Sequence, residues 1–320
     1  MLRAYCVVNP HAGRFHAGLL AERAAGILRK LGWQVDLIET SGGSHFAQLA
    51  RQAASNGVDV FLVVGGDGSI NNALPGLINT QTALGVLPAG TANVWAQELG
   101  LPALSWTNWV ALEESARMLA NGQIREVDVG YCDGQPFLLW AGIGLDGYVV
   151  GRIEPRPRWE KQIAVFHYAA TAAINATTWR GIDLRVEVDE KAISGCFLLA
   201  VASNIHLYAG GLARLSPNAR LDDGCMDLWL FEGKDFLDTV QRAWDLLAGN
   251  HVSSDRVRQF SFSKVRFEAD SPFYLQLDGE PLTLRQPEVS IYVQSKALRV
   301  LVPDQPRYEL FLHNHRKAKI

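Results

Sequence analysis

From the N-terminus to Ile124, short apolar runs alternate with stretches of helical periodicity. Ala4 to Val8 predicts a buried strand, and Ala17 to Leu31 predicts a helix that stops at Gly32. Trp33 to Glu39 reads as a second strand, and His45 to Asn56 as a helix ending at Gly57. Val58 to Val64 is β-branched and aromatic, broken only by Asp59, as expected of a central parallel strand. Another helix follows, then a strand over Ala83 to Leu87 and a helix over Thr91 to Leu99. This alternation predicts an α/β domain with a parallel sheet and helices on both faces.

Beyond Ile124 the period shortens to two. Strands are predicted at Glu126 to Gly130, Phe137 to Ala141, Asp183 to Asp189, Cys196 to Ala202 and Met226 to Phe231. They continue at Val257 to Phe262, Val265 to Glu268, Tyr274 to Leu277, Val289 to Val293 and Leu298 to Val302. Helices are expected near Lys161 to Thr178 and Asp235 to Leu247. The pattern predicts a second, antiparallel β-sandwich domain, with a cleft between the two.

Size and composition agree with two domains. The 320 residues are 48% hydrophobic, enough for two cores. A net charge of -3 and a mean hydropathy of +0.02 give no global reason to expect nucleic acid as a partner. The apolar stretch Ala164 to Ala176 is too short to span a bilayer, and the N-terminus lacks the pattern of a cleaved signal. Cys6, Cys132, Cys196 and Cys225 are widely spaced, so reduced thiols in a cytoplasmic protein are expected.

The densest chemical signal is Gly65-Gly66-Asp67-Gly68-Ser69-Ile70-Asn71, directly after the Val58 to Val64 strand. Phosphates need backbone N–H groups at close range, and glycine removes the side chains that would block them. Asp67 is placed to hold magnesium or its ordered water. Ser69 and Asn71 can donate to phosphate or cap the next helix, whose N-terminus favours an anion. The second signal is Leu87-Pro88-Ala89-Gly90-Thr91-Ala92-Asn93, and the third is Asn9-Pro10-His11-Ala12-Gly13. Either could be an ordinary turn, and Thr91 a simple N-cap. All three follow strands at the edge where open α/β sheets bind ligands. Their convergence predicts a nucleoside triphosphate site. No Walker loop is present, and none of these three glycine loops carries a G-x-G-x-x-G fingerprint.

Asp278-Gly279-Glu280 offers paired carboxylates for activating a hydroxyl, or else a solvated hairpin turn. Asp222-Asp223-Gly224 is equally open between a turn and a cation-binding loop. Asp128, at the domain junction, either reaches the cleft or joins a surface pair.

Taken in order, N-P-H-A-G at 9–13, G-G-D-G-S at 65–69, L-P-A-G-T-A-N at 87–93, V-D-V-G at 127–130, D-D-G at 222–224 and L-D-G-E at 277–280 resemble the diacylglycerol kinase catalytic-domain family. The resemblance is to its soluble bacterial lipid kinases, relatives of sphingosine and ceramide kinases and, more distantly, of NAD kinases. It implies an α/β nucleotide-binding domain over 1–128, a β-sandwich lipid domain over 129–295, and a segment over 296–320 returning to the first domain. It implies ATP contacts at Asn9, Pro10, Gly13, Thr40, Gly65, Gly66, Asp67, Gly68, Ser69, Ile70, Asn71, Gly90, Thr91 and Asn93. It places Asp67 and Asp128 in a water–magnesium network, and Asp278 or Glu280 as proton acceptor. A structural magnesium site maps to Asp223 with the carbonyls of Arg220 and Cys225. Ser69 replaces the usual threonine, Val94 stands where many members carry aspartate, and Arg220 replaces an apolar residue.

The expected function is therefore an ATP- and magnesium-dependent lipid kinase. The alternatives are an NAD kinase-like or other small-molecule kinase and a non-catalytic lipid-binding regulator. The expected partner is a lipid, with transient contact at the inner membrane face. The basic stretch Arg152 to Lys161, with Trp159, and the basic tail from Arg307 are the docking candidates. Oligomeric state stays open, a homodimer included.

Overall fold

The structure, a computed structural model, describes residues 1–9, 17–153, 179–282 and 287–312. Pro10, Gly13, the helix expected over Lys161 to Thr178 and most of the basic stretch before it lie outside the described residues.

Strands β1 (Arg3–Val8), β2 (Gln34–Glu39), β3 (Val60–Gly65) and β4 (Ala83–Pro88) form a parallel sheet in the order β2-β1-β3-β4. Every residue of β4 is buried, as is β3 from Val60 to Val64. Their unbroken apolar runs reflect helices packed on both faces. These helices are α1 (Ala17–Lys30), α2 (Ser44–Ser55), α3 (Asp67–Leu77), α4 (Val94–Leu99) and α5 (Ala111–Ala120). Gly76 lets α3 press on α2, since a Cβ there would lie 2.6 Å from the Ala47 carbonyl oxygen.

The rest of the described chain is largely antiparallel. In order come β5 (Gln123–Cys132), β6 (Gln135–Phe137), β7 (Trp140–Gly144), α6 (Leu145–Ile153), β8 (Ile182–Val188) and β9 (Lys191–Ser203). A small hairpin, β10 (Leu207–Tyr208) and β11 (Ala213–Arg214), precedes β12 (Met226–Glu232) and α7 (Phe236–Ala248). The chain ends with β13 (Val257–Phe262), β14 (Lys264–Glu268), β15 (Leu275–Leu277), β16 (Glu280–Leu282) and β17 (Glu288–Val302). Here alternate residues bury: β8 reads Leu184, Val186 and Val188 inward, Asp183, Arg185 and Glu187 outward. A second apolar core, with Phe137, Phe197, Phe262 and Phe267, fills this antiparallel sandwich.

The two parts share β17. Its first half pairs β14 and β5, and its second half pairs β5 and, at Val300, β4 in parallel. Between Gln294 and Leu298 the register shifts, and Lys296 adopts a φ of 52°. Residues 289–293 and 298–302, expected as two strands, are thus one bulged strand. The segment beyond it returns to the N-terminal half, where Arg307 packs on Gly100 at the end of α4.

Two other expectations change. The strand expected over Phe137 to Ala141 divides at Leu138 and Leu139, whose N–H groups turn to a side chain described below. The helix expected from Thr91 begins at Val94, because Asn93 is left-handed at φ 51°. Helices α5 and α6 are additional to the elements that periodicity predicts.

Candidate active site

Since β1 to β4 run parallel, the loops that follow them leave from one edge of the sheet. After β1, Asn9 lies against Gly42, where a Cβ would meet its Nδ2 at 2.9 Å. After β2, Thr40 is buried, and its hydroxyl accepts the Gly42 N–H at 3.1 Å. The loops after β3 and β4 touch backbone to backbone. A Cβ on Gly90 would lie 2.5 Å from the Gly66 Cα. Asn93 closes the second loop: its Oδ1 accepts the Gly90 N–H and its Nδ2 donates to the Gly90 carbonyl. Part of the glycine content is therefore spent on loop-to-loop contact. Gly68 is different, because the nearest atom to a Cβ there is Glu280 Oε1, 3.7 Å away.

Asp67 opens α3 and reaches across to α4. Its Oδ2 accepts the Val94 N–H at 2.9 Å, and its Oδ1 accepts the Trp95 N–H at 3.0 Å. One carboxylate thus serves the positive ends of two helices. Burial pushes its pKa up, and the donors Trp95 and Val94 pull against that rise. Thr91 is exposed and precedes the helix start, so the cap is Asp67 and not Thr91. Ser69 sits in the first turn of α3 against Gly65, Ile70 is buried, and Asn71 faces the groove shared with Glu280 and Pro281.

Across the cleft, Asp278 and Gly279 form the two-residue turn between β15 and β16, with φ of 49° and 86°. Both angles positive is the turn that matches strand twist, which explains the Asp-Gly pair. The turn is not solvated at Asp278. The residue is only 8% exposed, with Oδ2 accepting from Leu138 N at 2.8 Å. Its Oδ1 accepts from Leu139 N at 2.9 Å and Trp140 N at 3.0 Å. Those bonds break the strand at Leu138. Burial, opposed by the three donors and reinforced by the charge of Asp67, raises its pKa to about 6. Glu280, two residues on, is exposed at the rim.

Asp67 and Asp278 face one cavity of about 150 Å³. Its walls are Val94, Leu139, Trp140, Val150 and Tyr208. Val94 thereby adds apolar surface. Two polar residues that the sequence reading missed also line it. Asp146 is buried and accepts from Gln276 Nε2 at 2.7 Å. Gly142 makes room for that carboxylate, so the signal was a glycine in a buried strand four residues before an aspartate.

The remaining acidic candidates lie elsewhere, at the junction. Asp128 is fully buried. Its Oδ1 accepts the Lys296 N–H at 2.7 Å, at the bulge of β17, and its Oδ2 accepts the Gly224 N–H. It is a buried tie and no surface pair. Asp223 accepts the Cys225 N–H at 3.0 Å. The Arg220 guanidinium is held by Glu309. Arg220, Asp223 and Cys225 line a cavity of about 20 Å³ together with Asn204 and Asp227. Two acceptors in this group, Asn204 Oδ1 and Asp227 Oδ2, are buried without a hydrogen-bond partner. Burial raises the pKa of Asp223, and neighbouring Asp128, Asp227 and Asp222 raise it further.

Residues 3–132 match the family model described as diacylglycerol kinase catalytic domain, and residues 141–302 match the YegS C-terminal NAD kinase beta sandwich-like domain. A diacylglycerol kinase of Mycobacterium tuberculosis is 30% identical over 86% of this chain and 90% of its own length. The chain belongs to the diacylglycerol kinase family. A Bacillus subtilis diacylglycerol kinase is 26% identical over 88% of this chain and 90% of its own. In fold, this lipid kinase family member is similar to a solved diacylglycerol kinase structure from Bacillus anthracis, with a TM-score of 0.70, 20% identity and coverage of 94% and 96%. Among the described residues, no helix is long and apolar enough to cross a membrane.

Proposed function

We propose that this protein transfers the γ-phosphoryl group of ATP to a hydroxyl of a long-chain, diacylglycerol-like lipid. The observation that carries the reading is one largely apolar cavity lined by carboxylates from both halves, Asp67 from the glycine loop and Asp278 from the hairpin, with Asp146 beside them. The loops at Asn9, Thr40, Gly65–Ser69 and Gly90–Asn93 would hold the nucleotide. The N-terminus of α3 favours the phosphates, and the open side of Gly68 leaves room for them. Catalysis of this kind rests on positioning and electrostatics.

Asp278 is the better-placed proton acceptor. Its Oδ2 takes one backbone donor where Oδ1 takes two, which leaves a lone pair for a hydroxyl. Its raised pKa lies nearer neutrality than an ordinary carboxylate's. Glu280, exposed and beside Gly68, belongs to the phosphate side of the rim.

The residues present fit divalent cations. Asp67 keeps carboxylate lone-pair capacity after its backbone bonds from Val94, Trp95 and its own N–H, and magnesium there would neutralise charge on the phosphates. Among the described residues, no three His, Cys, Asp or Glu side chains converge as ligands. A second cation would therefore rely on oxygens of the Arg220–Cys225 loop with Asp223. The orphaned acceptors Asn204 Oδ1 and Asp227 Oδ2 and the mutual repulsion of the carboxylates suit such an ion. Radiolabelled ATP offered with a mixed lipid extract tests the reading, with the labelled product identified by mass. Labelled lipid is expected. Label appearing only in water-soluble acceptors, or nowhere, would refute it.

A further inference from the structure

Helix α7 is built inside out. It buries Thr239, Arg242 and Leu246. Leu237, Val240, Trp244 and Leu247 stand in solvent at 75%, 50%, 68% and 59% exposure. Their spacing of three or four residues puts them on one stripe. The charges are turned away from it: Arg242 pairs with Asp245 at 3.0 Å, and Asp238 accepts the Lys234 N–H in the first turn. The other exposed positions of the helix, Phe236, Gln241, Ala243 and Ala248, carry no charge either. A helix facing water has the reverse arrangement.

A second copy of the chain is a poor fit for this stripe. Thirteen residues make a helix about 20 Å long. Its face therefore offers roughly 200 Å², against about 800 Å² per partner in a stable interface. A bilayer needs no matching surface, only apolar side chains at the depth that tryptophan favours. The helix also packs against β11, whose partner β10 leads into Tyr208, Ala209 and Gly210 of the cavity wall. Leu212, at the tip of that hairpin, is 55% exposed.

We infer that α7 is an interfacial anchor. It lies in the surface of a lipid bilayer with Leu237, Val240, Trp244 and Leu247 among the acyl chains, and it holds the Tyr208–Gly210 wall against the lipid. Its purpose rests on the lipid kinase reading, but its test does not.

The full chain and a variant carrying L237Q, V240Q, W244Q and L247Q are sedimented with vesicles of phosphatidylethanolamine and phosphatidylglycerol, in about 0.5 M salt to screen charge. All four positions are exposed, so unchanged circular dichroism and melting are expected. Vesicle binding should fall roughly tenfold or more, the loss of a few inserted methylenes. Brominated acyl chains should quench tryptophan emission in the wild type, and W244F should remove that quenching. Transfer to vesicle lipid should fall with binding, while transfer to detergent-dispersed lipid stays within about twofold. Unchanged vesicle binding overturns the anchor. So does a solution dimer that the variant dissociates while vesicle binding persists. Binding that needs these residues in a protein with no lipid phosphorylation sustains the anchor and overturns the kinase reading instead.

Discussion

The glycine loops of the parallel sheet and the hairpin of the antiparallel part both spell an aspartate beside a glycine. The physics differs. At the sheet edge, Gly66 and Gly90 are required because two backbones meet, and Asp67 is drawn to the ends of two helices. In the hairpin, Gly279 is required by its positive φ, and Asp278 is drawn into the core by three N–H groups of an interrupted strand. One motif brings two loops together, and the other bends a strand. Each leaves a carboxylate at the same cavity. A short motif thus identifies a site only after its backbone duties are subtracted.

The two carboxylates should separate in their kinetics. Asp67→Ala removes charge at the phosphates, and kcat should fall roughly a thousandfold. Loss of the shared cap should cost about 1 kcal/mol of stability. Steady-state rates and denaturant melts check both, and near-normal turnover would remove Asp67 from the chemistry.

Asp278→Asn should lower kcat roughly a hundredfold with little change in the KM for ATP. The wild-type kcat should rise through about pH 6 as Asp278 ionises, and the variant should lack that limb. The stability effect has the opposite direction. Between the ordinary value of 3.8 and about 6, the native carboxyl keeps a proton that the unfolded chain has lost. Native protein binds more protons there, so this group's contribution falls as pH rises and is gone above about 6. Melts from pH 4 to 7 should show that slope in the wild type and not in the variant.

The glycines give a sharper contrast at smaller amplitude. Gly90→Ala forces the loops apart and should cost about 1–3 kcal/mol. Gly68→Ala meets only Glu280 and lies in the first turn of α3, so melting should hold or rise. Its KM for ATP should nonetheless rise several-fold, since the methyl group occupies the space left for phosphate. Equal melting of the two variants would break the comparison.

The smallest effect expected is at the junction. Magnesium should raise the wild-type Tm by a few degrees, the linkage of binding to folding, and Asp223→Ala should abolish the increment. Identical Tm values with and without magnesium in both proteins would exclude a structural ion there.

The elements that the sequence made legible are those with local causes. The apolar run of β3, the alternation of β8 and the Asp-Gly turn follow from burial period and backbone angles, which neighbours in the chain decide. What escaped depends on partners far along the chain. Asp67 finds its donors 27 and 28 residues away, and Asp278 finds its own 138 to 140 away. The break at Leu138 is the other end of that second bond, so periodicity alone predicts an unbroken strand. Helix α6 follows Gly144 at φ 86° in a Gly-Leu-Asp-Gly run that reads as loop. Its Asp146 finds Gln276 130 residues downstream.

The shared strand β17 also sets an order of events during synthesis. The ribosome releases the whole parallel sheet before it has made residues 298–302. Until those arrive, β4 presents an open, apolar edge, and β5 lacks its long antiparallel neighbour. The nascent N-terminal half is then exposed to edge-to-edge pairing with other chains. An expression piece cut near residue 132 would keep that liability permanently, even though a family model ends there. Both halves close only when the same late strand is laid between them.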